Sequence, residues 1–126
     1  MAAAKVLVIE DNPMNMELAI DLLRIQGHEV LAARTADEAL SLLQEVTPDL
    51  ILMDIQLPGL SGLDLTRRLK EDGRTKEVPI IAITAYAMMG DDEKAFEAGC
   101  DGYIPKPINF QQFSRVVEDV LRSRGE

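Results

Sequence analysis

The sequence has one cysteine, few cations, no long apolar run and no low-complexity tract. Cys100 alone cannot form an internal disulfide, so no cystine framework is available, and a lone thiol suits a reducing cytoplasm. Thirteen Lys and Arg against 22 Asp and Glu leave a net charge of -9, the wrong sign for a nucleic-acid surface. No apolar stretch approaches the ~18 residues of a spanning helix. No charged-then-apolar signal opens the chain. The expectation is a cytoplasmic protein with neither nucleic acid nor membrane as partner. Linkers and internal repeats are missing too, so 126 residues read as one domain, 1–126, large enough to bury a core. The last helical segment runs almost to Glu126, which leads us to expect no output domain.

What the chain does have is a rhythm. Apolar, β-branched runs at 6–9, 29–33, 50–53, 79–83 and 102–104 alternate with segments of helical period. Short strands separated by helix-length segments indicate βαβ units and a parallel sheet. With right-handed crossovers, five such units make a three-layer α/β sandwich. The helices carry their own punctuation. Asn12 and Pro13 open the first and Gly27 closes it. Thr35 and Glu38 have capping-box spacing at the second, whose apolar stripe is Ala36, Ala39, Leu40 and Leu43. The third starts near Ser61 and stops before Gly73. The fourth, 88–98, has Gly90, three successive acids and little apolar besides Ala95 and Phe96, so it should be the most weakly held. Phe110, Phe113, Val117 and Val120 are expected on one face of the fifth.

An acid ends the most apolar run: Leu50 to Met53 leads straight into Asp54. A carboxylate at the edge of a core is costly unless something compensates it. In open parallel sheets, sites form outside the carboxyl ends of strands, and Asp54 is at such an end. So are Glu10 and Asp11, Thr84, and Lys106 between Pro105 and Pro107. Neighbouring strands are ~4.8 Å apart, so these ends can converge. Three carboxylates together repel unless a cation sits among them. Hard oxygen donors without His or Cys suit Mg²⁺. Aspartate is a nucleophile towards phosphoryl groups, whose transfer needs positioning and charge neutralisation. The reading is Asp54 as acceptor, Asp11 as metal ligand, and Glu10 as a ligand through water or a supporting group. Lys106 and Thr84 would bind phosphoryl oxygens. Each residue has a plainer reading as strand exit, turn or surface residue, and what favours a site is their joint placement at strand ends.

Taken in order, Glu10-Asp11, Asp54 with Pro58-Gly59 beyond it, Thr84-Ala85 and Lys106-Pro107 resemble the receiver domain of two-component response regulators over nearly the whole chain. The run ILMDIQLPGLSG with TAYAM looks closest to single-domain regulators of the DivK kind and to hybrid-kinase receivers. The resemblance implies a flavodoxin-like fold of sheet order 2-1-3-4-5 and phosphate taken from a phosphohistidine. The donor would be a histidine kinase or histidine phosphotransfer protein. It also implies a switch in which Thr84 moves and Tyr103 turns inward, a Gln56 backbone carbonyl in the metal shell, and a cis Lys106–Pro107 peptide. Such a domain signals through a downstream protein partner, as a monomer or weak dimer, and is not a dedicated enzyme. Three rival readings differ in what they require. A flavin binder should have a Ser/Thr/Gly-rich loop where this chain has Glu10-Asp11-Asn12. An aspartyl phosphatase should have a second acid at position 56, which is Gln. An inert interaction domain of the same fold is separated only by a phosphorylation assay.

The first helix has an excess of apolar residues. Met16, Ala19, Ile20 and Leu23 suffice to cover a sheet, yet Met14, Leu18, Leu22 and Ile25 form a second stripe. Packing on the fifth helix could hide Leu22 and Ile25. Met14 and Leu18, with Ile108, are expected to form an apolar docking patch beside Asp54 for a helical phosphodonor. His28 and Cys100 read as structural.

Overall fold

The computed structural model describes residues 3–55, 61–84 and 91–125. Among the described residues, five strands, β1 (Lys5–Ile9), β2 (Glu29–Ala33), β3 (Leu50–Asp54), β4 (Ile80–Thr84) and β5 (Gly102–Pro105), alternate with five helices. These are α1 (Pro13–Ile25), α2 (Ala36–Glu45), α3 (Gly62–Glu71), α4 (Asp91–Ala98) and α5 (Phe110–Gly125). The strands form one parallel sheet in the order β2-β1-β3-β4-β5, the order that the family resemblance implies.

Helices cover both faces, which is why β3 and β4 are buried at every position. Successive strand residues point to opposite faces. Leu7, Ile9, Ile51, Met53, Ile80 and Ala82 pack with Ala39 and Leu43 of α2, Leu65 and Leu69 of α3, and Ala95 of α4. Val6, Val8, Leu50, Leu52, Ile81, Ile83 and Ile104 pack with Met16, Ala19 and Leu23 of α1 and Phe113 and Val117 of α5.

The helix ends follow local chemistry. The Asn12 side chain accepts the Asn15 N–H at 3.0 Å, with Pro13 next in line. At the other end of α1 the cap residue is Gln26, and Gly27 (φ 91°) takes the left-handed turn. Gly27 N–H reaches Arg24 O and His28 N–H reaches Leu23 O, a Schellman closure. Thr35 caps α2 by accepting the Glu38 N–H, but the Glu38 carboxylate answers Arg34 N–H, one residue earlier than a capping box requires. Ser61 caps α3. The Lys106–Pro107 peptide is cis.

Two expectations about faces need correction. Phe110 is exposed, whereas Phe113 and Val117 are fully buried. It is the first residue of α5, and helix side chains lean towards the N-terminus, so it projects past the turn that reaches the sheet. Of the two α1 residues that α5 could cover, Leu22 is buried beside Phe113 and Val117, but Ile25 in the last turn is 70% exposed. The start expected for the fourth helix, 88–90, lies outside the described residues; within α4, Ala95 is buried and Phe96 is half exposed.

Candidate functional site

The sheet ladder brings the chemistry-bearing residues to one rim. Glu10 follows β1 directly and continues its pairing through Glu10 N–H to Ala33 O. Asp54 is the last residue of β3, and Thr84, the last of β4, pairs in register with Pro105. Lys106 follows β5, with its N–H on Thr84 O at 2.7 Å. Glu10, Asp54 and Thr84 are buried and Asp11 is exposed, so the acids grade from core to solvent.

Glu10, Asp11 and Asp54 each present a carboxylate oxygen within 4.8 Å of the others. The Lys106 ammonium lies 2.8 Å from Glu10 Oε1 and 3.2 Å from Asp54 Oδ2, bridging the two buried acids. It donates a hydrogen bond to Asp54 and forms a close ion pair with Glu10. Glu10 Oε2 accepts the Asn12 N–H at 3.1 Å. Burial, a hydrogen bond to Asp54 and that acid's charge push the Glu10 carboxyl up from 4.5 to about 7; Lys106 and the Asn12 amide pull the other way. For Lys106, burial favours the neutral amine, but Glu10 and Asp54 outweigh it and raise the pKa. One ammonium among three acids leaves negative charge uncompensated.

The donors suit a hard divalent cation. All are oxygens, and they stand within one ion's reach. Of the residues expected at the site, Glu10, Asp11, Asp54, Thr84 and Lys106 are thus brought to one rim. Gln56, Pro58, Gly59 and Ala85 lie outside the described residues. Tyr103 is half-buried against the face of the sheet that α2, α3 and α4 cover. Met14 (80%) and Leu18 (39%) are exposed on α1, whereas Ile108 is half-buried against the other core cluster. His28 and Cys100 are buried as structural groups: His28 Nδ1 accepts the Ala4 N–H, and Cys100 contacts Thr66. Sequence reasoning missed the Asn12 amide that holds Glu10 and the exposed Phe110. The signal for the first was a cap residue directly after two acids, and for the second its position at the first turn of a helix.

A parallel sheet of this order, with acids and a lysine at its carboxyl rim, defines a flavodoxin-like α/β domain of the CheY type. The family model described as "Response regulator receiver domain" matches residues 6–118, and the chain belongs to that family. It is 47% identical over 116 residues to the polar-differentiation response regulator DivK of Brucella anthropi, a match covering 92% of this chain and 94% of that protein. Among solved structures it is similar to the receiver domain of sensor histidine kinase PA1611 from Pseudomonas aeruginosa, crystallised with a magnesium ion coordinated in its active-site cleft. The TM-score is 0.86 at 33% identity, covering 95% of this chain and 98% of that one. A CheY-like receiver domain protein from Methanospirillum hungatei gives 0.88 at 26% identity, with 98% of each chain covered. The protein is therefore a signalling domain of the two-component class, and its acid cluster is where such a domain would hold a metal. Among the described residues no helix is long and apolar enough to cross a membrane.

Proposed function

We propose that Asp54 takes a phosphoryl group from a phosphohistidine on a histidine kinase or phosphotransfer protein, and that the phosphorylated domain signals by protein contact in the cytoplasm. The observation that carries this reading is the Lys106 ammonium held between Glu10 and Asp54 at 2.8 and 3.2 Å, beside the exposed Asp11. In the transfer an Asp54 carboxylate oxygen forms the new O–P bond while the N–P bond breaks. The departing imidazole nitrogen keeps the electron pair and takes up a proton. Lys106 and the Thr84 hydroxyl bind phosphoryl oxygens as charge gathers on them.

Asp11, Asp54, Glu10 through water, and the Gln56 carbonyl would hold Mg²⁺, a role supported by the all-oxygen cluster and by the magnesium in the PA1611 receiver. When bound, Mg²⁺ neutralises charge on the phosphoryl group and the surrounding acids. Thr84, drawn towards the phosphoryl group, would vacate space that Tyr103 fills, and that exchange is the switch. In this reading the domain assists its own phosphorylation and is not a dedicated enzyme. The docking patch is Met14 and Leu18, with Ile108 contributing its exposed part. Phe110 extends it, because α1 and α5 both start at this rim and cover the same face.

The test is intact mass after incubation with a small-molecule phosphodonor. Wild type gains one phosphate in Mg²⁺, and Asp54→Asn gains none. Equal labelling of both proteins overturns the acceptor assignment.

A further inference from the structure

Gly62, the first residue of α3, occupies a place with no room for a side chain. A Cβ there would lie 2.5 Å from the Asp54 carbonyl oxygen, 2.5 Å from Ile55 Cα and 3.1 Å from the Asp54 carbonyl carbon. All three are backbone atoms, so no rotamer change relieves the clash. The start of α3 therefore rests directly on the peptide of the acceptor residue. Gly62 N–H donates to Ile55 O at 3.2 Å. Thr66 Oγ1 donates to Gly62 O at 2.8 Å and lies 3.6 Å from the sulfur of Met53, the residue before Asp54. On the far side, Ile55 N–H is bonded to Ile83 O at 3.1 Å. The Asp54 peptide is held between the β4 ladder and the first turn of α3.

We infer that Gly62, pinned by Thr66, is a positioning residue for phosphoryl acceptance. It sets how far Asp54 reaches towards Asp11 and Lys106. The inference rests on Asp54 being the acceptor. Ordinary carbon–oxygen approaches are about 3.3 Å or more, so a methyl at this point needs roughly 0.8 Å of movement. Leu65 and Thr66 (both 0% exposed) and Leu69 (2%) anchor α3 on the sheet, so the helix cannot simply lift away and the strand end takes a share of that movement. Reacting groups misplaced by about 1 Å can lose on the order of 100-fold in rate. Helix propensity alone would favour alanine here, so an adverse effect has to come from the contact with Asp54.

The experiment compares wild type, Gly62→Ala, Thr66→Val and Leu69→Ala. Leu69 lies seven residues along α3, roughly 10 Å from Gly62, and serves as the stability control. Labelling rate by a small-molecule donor, the Mg²⁺ dissociation constant by NMR titration without donor, and the urea midpoint are measured for each. Gly62→Ala should label at least ten-fold more slowly at saturating Mg²⁺ and bind Mg²⁺ at least three-fold more weakly. Leu69→Ala should lose at least as much in urea midpoint while its rate and Mg²⁺ affinity stay within two-fold of wild type. Thr66→Val removes the pin without adding an atom beside Asp54, and should show a smaller loss of the same kind if Gly62→Ala does not fold. Wild-type rate and Mg²⁺ affinity in Gly62→Ala, or in Thr66→Val where that variant stands in, overturn the inference. So does a Leu69→Ala loss equal to that of the Gly62 variant. If wild type itself takes no phosphate, the acceptor reading fails, and Mg²⁺ affinity alone then decides whether Gly62 positions the acid cluster.

Discussion

Without metal, the protein should become less stable as pH rises from 5 to 8, the reverse of the usual behaviour of paired carboxylates. The cause is Glu10. In the folded protein its carboxyl is pushed up from 4.5 to about 7 by burial and by Asp54. Between those two values the folded chain keeps a proton that the unfolded chain has released. The stability that Glu10 contributes is therefore complete below about 4.5 and is lost as pH rises through about 7. That interval, at about 1.4 kcal/mol per pH unit, amounts to the order of 3 kcal/mol. His28 works in the opposite direction. Burial lowers its pKa below 6.5, with the Glu118 charge opposing, so its protonation favours the unfolded chain at acid pH. Comparison with Glu10→Gln, which keeps His28, isolates the Glu10 contribution. The assay is urea unfolding followed by circular dichroism in EDTA at pH 5, 6, 7 and 8. The wild-type-minus-variant difference should fall by a few kcal/mol across this range. Mg²⁺ at about 100 times its dissociation constant should restore about 2.7 kcal/mol at the alkaline end. A flat difference in EDTA, or one rising with pH, refutes the placement of Glu10 as a buried acid sharing its charge with Asp54.

The remaining predictions concern the metal and the donor. Asp11→Asn should weaken Mg²⁺ binding by about ten-fold or more, about 1.4 kcal/mol, and slow labelling, because it removes a charged ligand. The same change should slightly raise the urea midpoint in EDTA by relieving repulsion among the acids, and an unchanged Mg²⁺ titration by NMR would put the metal elsewhere. Leu18→Asp should slow transfer from a phosphorylated donor protein by about ten-fold, about 1.4 kcal/mol of lost docking, and leave labelling by a small-molecule donor within two-fold. Equal slowing with both donors would mean that the fold or the acid cluster had been damaged.

Local sequence was enough to read the elements, their order and the five residues that meet at the carboxyl rim. Runs buried on both faces must be apolar throughout, so the strand at Leu50–Asp54 could be read directly, together with the acid that ends it. Caps act between residues three apart, so Asn12, Thr35 and Ser61 marked helix starts without any knowledge of the fold. Once parallel crossovers are assumed, every strand exit falls on one rim, and Glu10, Asp11, Asp54, Thr84 and Lys106 are grouped by connectivity alone. Whatever depends on distance between elements came only with packing. That Lys106 bridges Glu10 and Asp54, and that Glu10 rather than Asp11 is the buried acid, follows from how deeply each strand end sits. The burial of Leu22 and the exposure of Ile25 and Phe110 depend on where α1 and α5 meet, which helical period does not specify. The contact of Gly62 with the Asp54 peptide needed coordinates as well, because local sequence shows a glycine at the start of a helix but not which backbone lies against it. Periodicity and capping are short-range and can be read along the chain, whereas packing depth and the approach of one backbone to another exist only after the layers have come together.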